Sequence, residues 1–233
     1  YISPGGSLNV TVRFSPTEVK AYTGTLTIKS NDPDQPMVSV SLSGEGVAPD
    51  IEVSSTGHDF GEVGLGGYKE WEFKVLNRGR DTLSIQGVTS DSPEFKVISP
   101  DFPKDVPPQG SITVLVRFSP KDVKSYTGKL TISSNDPDQP AVSVSLSGEG
   151  VAPDIEVSST GHDFGEVSLG GYKEWEFKVL NRGRDTLSIQ SVTSDSPVFK
   201  VVSPGFPQYI SPGGSLNVTV RFSPTEVKAY TGT

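Results

Sequence analysis

The chain has 233 residues, of which 33% are hydrophobic and 21% charged, with a net charge of −8 and no cysteine. The missing cysteine excludes disulfides, thiolate metal sites and a cysteine nucleophile, and the acidic balance argues against nucleic acid and anionic membranes as partners. No apolar run approaches the roughly 20 residues needed to cross a bilayer as a helix.

In chain order, residues 1–48 end in a turn, Asn31-Asp-Pro-Asp-Gln-Pro36, followed by the alternating segment Val38-Ser-Val-Ser-Leu42. The segment Gly44-Glu-Gly46-Val-Ala-Pro49 bridges to Ile51-Glu-Val53, a short strand, and Phe60 and Val63 follow as core anchors. Gly64-Leu-Gly-Gly67 reads as a turn; without a Lys-Ser/Thr ending or a following helix it is no phosphate cradle. Tyr68 to Asn77 alternates apolar and polar, which turns Trp71, Phe73 and Val75 inward and leaves Glu70, Glu72 and Lys74 in water. Asn77-Arg-Gly79 is a tight turn, 83–88 and 95–97 are strands, and Ser99–Gly110 is a Pro-rich crossover loop. The strongest strand is Ser111–Phe118, broken by Ser119-Pro120; strands at 130–133 and 142–146 flank a second Asn135-Asp-Pro-Asp-Gln-Pro140 turn.

The chain then starts again. Ser30–Val63 returns as Ser134–Val167 with Ala141 in place of Met37, an offset of 134 − 30 = 104. Residues 51–104 and 155–208 differ at six positions: 64/168, 87/191, 94/198, 98/202, 101/205 and 104/208. Residues 1–25 match 209–233 without change, an offset of 209 − 1 = 208, twice 104. Two slightly different units alternate, and both ends fall inside a unit, as in a window on a longer array. The expected organisation is 1–48 as the C-terminal part of a unit, 49–152 as a complete one, and 153–233 as the N-terminal part of a third that lacks its last strands. About seven short strands per unit, punctuated by Gly, Pro, Asn and Ser, predict an all-β fold of tandem immunoglobulin-like antiparallel β-sandwiches. Gly44, Gly46, Pro49, Gly148, Gly150 and Pro153 mark a short inter-domain seam, expected to be semi-rigid.

The run Phe60-Gly-Glu-Val63, Leu76-Asn-Arg-Gly79, Leu83-Ser-Ile85, Phe95, Val-Arg-Phe118-Ser-Pro120, Tyr126-Thr-Gly128, Ser134-Asn-Asp-Pro137 and Leu146-Ser-Gly148-Glu-Gly150 resembles the ASH/Hydin-type immunoglobulin-like domains, which are related to the major sperm protein fold. The resemblance covers the whole unit. It implies a structural or interaction module without catalytic residues, and for the bacterial choice-of-anchor D versions an extracellular or cell-surface location.

Other constellations read plainly. His58 and His162 occupy one repeat position; each adjoins an Asp that points to the opposite face, and no Gly-x-Ser-x-Gly elbow exists, so a hydrolytic triad is not expected. Asp32, Asp34, Asp136 and Asp138 lie near the seam as calcium candidates, although Asn-Asp-Pro-Asp is also an ordinary turn sequence; no other cofactor is expected. A Lys74–Asn77 cross-link is disfavoured because Lys74 lies on the polar phase. Trp71, Phe73, Phe118 and Tyr126 read as core. The expected function is a structural tandem-repeat segment of an extracellular fibre, filament or stalk, with neighbouring repeats and lateral copies of itself as partners. The alternative is an adhesin that recognises a glycan or protein through its loops. No enzyme is expected.

Overall fold

The computed structural model describes all 233 residues, and every regular element is a strand. The first repeat contributes a hairpin, β1 (Ala21–Lys29) with β2 (Met37–Glu45). The middle repeat carries β3 (Ile51–Val53), β4 (Gly57–Gly64), β5 (Lys69–Asn77), β6 (Leu83–Ser90), β7 (Phe95–Ser99), β8 (Lys104–Val106), β9 (Ser111–Phe118), β10 (Ser125–Ser134) and β11 (Ala141–Val151). The third repeat carries β12 (Ile155–Val157), β13 (Lys173–Asn181), β14 (Leu187–Ile189), β15 (Phe199–Ser203), β16 (Gln208–Ile210) and β17 (Ser215–Phe222).

The middle repeat is a sandwich of a four-stranded sheet, β3-β5-β9-β7, and a five-stranded sheet, β4-β11-β10-β6-β8. The alternation in β5 builds the first layer: Phe73 and Val75 are buried while Glu70, Glu72 and Lys74 are exposed. Val114, Val116 and Phe118 of β9 continue that face, and Leu130 and Ile132 of β10 with Val144 and Leu146 of β11 close the core from the other sheet. Phe95 and Phe118 stack with centroids 4.7 Å apart, and Phe60 leans on both. Burying an aliphatic or aromatic side chain contributes roughly 1.5–3 kcal/mol. Seventeen buried core residues therefore make a stable unit without a disulfide.

Nine strands form where seven were expected. Lys104–Val106, placed in the crossover loop, pairs with Leu83–Ile85 as a short edge strand, the position where a Pro-flanked segment is tolerated. Gly57–Gly64, read only as a pair of core anchors, pairs with β11, and it does so in parallel; the sandwich is thus not wholly antiparallel. A register shift interrupts this pairing where Gly61 adopts φ 64°, and that bulge breaks the alternation a strand would show in sequence.

The third repeat has the sheet β12-β13-β17-β15 and the separate pair β14-β16. No strands matching β10 and β11 are formed in this repeat, and residues 229–233, which align with the start of β10, are not strand. Without them Phe164 lines an open cleft with Phe199, Phe222 and Tyr230, and the buried core holds five residues. The hairpin of the first repeat is the converse case: its Ile28 is 46% exposed, whereas the matching Ile132 is fully buried.

Candidate functional site

The joints between repeats concentrate the specific interactions of the chain. Strand β11 runs to Val151, past the expected seam glycines, and pairs with β4 up to Gly64. The Leu65 amide donates to the Val151 carbonyl at 3.0 Å, so the preceding repeat grips the chain to that residue. The following repeat takes hold at once. The Arg184 amide donates to the Ala152 carbonyl at 3.0 Å, and the Arg182 amide to the Asp154 carbonyl at 2.7 Å. Pro153 between them has a fixed φ. The first joint repeats the scheme: Arg80 and Arg78 amides donate to the Ala48 and Asp50 carbonyls at 3.0 and 2.7 Å.

The Arg-Gly-Arg turn that does this lies directly on the bridge. A Cβ at Gly79 would stand 2.4 Å from the Ala48 oxygen, and one at Gly183 would stand 2.3 Å from the Ala152 oxygen. Each turn springs from a buried asparagine. The Asn77 amide group donates to the Asp81 and Val106 carbonyls at 2.7 and 3.0 Å, and its oxygen accepts from the Gly79 and Asp50 amides. Asn181 does the same with Asp185, Ile210, Gly183 and Asp154. Every donor and acceptor of the side chain is used.

The second arginine of the turn reaches back. Arg80 forms a two-pronged pair with Glu45 of β2 at 2.5 and 2.9 Å. Arg184 pairs with Glu149 of β11 and also with Glu62 of β4, and so clamps both strands of the preceding repeat. The hydrogen bond and charge of Arg80 hold the Glu45 carboxyl below its usual pKa. The two carboxylates raise that of Arg184. A planar guanidinium fork suits this two-carboxylate geometry where an ammonium would not.

The seam residues chosen from sequence divide into two groups. Pro49 and Pro153 sit in the bridge, under the Arg-Gly-Arg turn. The glycines answer to packing inside their own repeat. A Cβ at Gly148 would meet the Phe118 ring at 2.5 Å, and one at Gly44 the Phe14 ring at 2.8 Å. At Gly150 and Gly46 it would lie 2.1 and 2.0 Å from the carbonyl oxygens of Asp122 and Glu18.

The Asp136 carboxylate, a calcium candidate, is buried and engaged: it accepts from the Ile51 amide at 2.8 Å and from the Asp138 and Gln139 amides at 2.9 and 3.1 Å. Burial pushes its pKa up, and the three amides outweigh burial and bring it below the usual value. Asp136 thus ties the turn to the start of β3. Asp32 accepts from Asp34 and Gln35 in the same turn of the first repeat. No three His, Asp or Glu side chains converge as a metal-binding group, with Asp34 and Asp138 included. His58 stacks flat on Trp71 at 4.4 Å and meets Phe60 edge-on, and His162 does the same with Trp175 and Phe164. Burial lowers the His58 pKa, against the pull of Asp59. Both imidazoles are part of the ring packing at the sandwich edge. Lys74 is exposed.

Fold and joints together define a tandem immunoglobulin-like repeat protein. The chain belongs to the HYDIN/CFA65/VesB-like, Ig-like domain family, whose model matches residues 49–149 and 153–233. It is similar to the cilia- and flagella-associated protein 74 of Chlamydomonas reinhardtii, 26% identical over 187 residues that make up 74% of this chain and 9% of that protein. It is also similar to the human hydrocephalus-inducing protein homolog, 25% identical over 174 residues, 72% of this chain and 3% of that protein. The chain therefore spans less than a tenth of the length of these curated relatives. Among solved structures it is similar to an ASH/PapD-like domain of human CEP192, at TM-score 0.40 and 16% identity over 45% of this chain and 87% of that one. Another is a Porphyromonas gingivalis protein of unknown function, at TM-score 0.38 and 18% identity over 74% of this chain and 83% of that one. No helix is long and apolar enough to cross a membrane.

Proposed function

We propose that the chain is a segment of a structural array, a rigid spacer in an extracellular fibre, filament or stalk at a cell surface. The observation that carries this reading is the joint. Its bridge is hydrogen-bonded to the repeats on both sides, and the Arg184 fork ties the third repeat to two strands of the middle one. Such a joint transmits orientation from one sandwich to the next and converts a string of domains into a rod. Copies of the chain associate laterally through the exposed sheet edges.

The test is small-angle scattering of the whole chain with and without Arg184→Ala, followed by electron microscopy of the native material. A narrow, elongated particle that gains flexibility in the variant supports the spacer. A freely hinged ensemble in the unmodified chain overturns it. A filament with an axial repeat of roughly 70–90 Å, two repeats long by strand length, places the array in a fibre. A second location rests on the name of one relative, which associates that protein with cilia and flagella: the same rod would serve as a ciliary scaffold. Immunogold labelling of intact against permeabilised cells separates the two, since a surface fibre labels without permeabilisation.

A further inference from the structure

We propose that the array alternates two joint geometries, set by the Gly64/Ser168 difference between its two unit types. The inference rests on the array reading above. Gly64 ends β4 at the face that meets the third repeat, and a Cβ placed there would lie 2.0 Å from Asp185 Oδ2 and 2.8 Å from its Cγ. The carboxylate has little freedom to turn away. Its Oδ1 accepts from the Thr186 amide at 2.7 Å, and its main-chain carbonyl accepts from the Asn181 side chain at 2.7 Å. The joint between middle and third repeats is therefore a glycine joint, closed to any side chain at position 64.

The other unit type has Ser168 at the matching position. In the 208-residue period, the turn that such an exit meets is the one carried by the middle repeat, where Asp81 is posed in the same way, its Oδ1 accepting from the Thr82 amide at 2.7 Å. A serine Cβ cannot enter the contact that Gly64 makes; it has to retreat to roughly 3.5 Å from the carboxylate. At that separation the serine hydroxyl donates to the carboxylate, so the joint is reset rather than lost.

A second difference falls on the same interface and tracks the first. Gln109 donates to the Arg78 and Gly79 carbonyls at 2.7 and 3.2 Å and so braces the turn that receives the serine exit. The turn that receives the Gly64 exit meets Gly213 instead, which lacks a side chain and donates only its main-chain amide, to the Asn181 carbonyl at 2.9 Å. Tight exit with a turn held by main-chain bonds alone, and bulky exit with a turn braced by a side chain as well, give the 208-residue period a mechanical meaning.

The absence of cysteine makes the test direct. Nitroxide labels go on Glu72→Cys and Glu176→Cys, exposed positions of β5 and β13, and electron–electron double resonance gives the inter-repeat distance. Gly64→Ser is expected to displace or broaden that distribution by about 1.5 Å, the retreat from 2.0 Å to contact distance. Adding Asp185→Ala should restore the original distribution, because the obstruction is gone. The serine is not expected to unfold the repeat, since Ser168 already stands at the matching place. An unchanged distribution in Gly64→Ser, or a change that Asp185→Ala does not reverse, overturns the alternation. Scattering that still reports a rigid rod would leave the spacer function standing on its own.

Discussion

At the residue scale, two buried polar side chains hold more structure than any surface pair. Asn77 gathers two amides and two carbonyls from three stretches of chain, and its bonds to Val106 and Gly79 are withdrawn from water. Asn77→Ala strands them, and leaving buried groups unpaired in this way costs about 3 kcal/mol, read as a lower denaturant midpoint for the middle repeat. Asp136 acts through charge as well. Its carboxyl pKa is depressed in the folded chain, so the stability it contributes is complete above the ordinary carboxylate pKa and is lost as pH falls through the folded value. Wild type should therefore be more stable than Asp136→Asn at pH 7, with the gap closing below about pH 4 as the carboxylate protonates. A gap of constant size across that range in urea titrations would remove the charge from the account. Asn77 was legible only as part of an Asn-Arg-Gly turn. What the sequence hides is that its partners, Val106 and Asp50, lie 29 and 27 positions away along the chain.

At the element scale, the strands with clean alternation were legible, and β5 and β9 stand where their apolar phase puts them. Two strands were not. Strand β4 owes its existence to β11, a parallel partner almost a full repeat away, and β8 is a three-residue edge among prolines. Pairing with distant chain decides both, and local pattern carries no trace of it. The same dependence predicts how stability is graded. In the third repeat, residues 161–168 are not strand, because no counterpart of β11 lies beside them. Thr233 has begun the expected path, since its amide reaches Asp195 at 2.8 Å as that of Lys129 reaches Asp91 at 2.7 Å. Hydrogen exchange should rank the middle repeat as most protected, β13 and β17 next, and β1–β2 as fastest. Appending a copy of residues 26–48 after Thr233 should cover Phe164 and raise the protection of β13, β17 and 161–168 together. Equal protection of the second and third repeats before the addition would contradict the packing described.

At the scale of the whole molecule, a joint was legible in the short Pro-containing bridge, but its clamp was not: nothing in the sequence pairs Arg184 with a glutamate 122 positions earlier. The clamp and the backbone bonds divide the work in a way that salt can separate. Arg184, Glu62 and Glu149 are at or near the surface, with side-chain exposures of 53%, 49% and 34%, so their attraction is screened by mobile ions. The bridge bonds of Ala152 and Asp154 are short-range and respond little to ionic strength. Raising salt from roughly 0.05 M to 1 M, which shortens the screening length from above 10 Å to about 3 Å, should therefore widen the inter-repeat distance distribution while leaving its centre in place. Arg184→Ala should begin wide and show no further response to salt. If wild type and variant respond alike, the ion pairs do not steer the joint and its orientation belongs to the bridge alone. If the centre of the distribution also moves, the fork selects among several bridge conformations, and the rod's twist becomes a function of ionic strength.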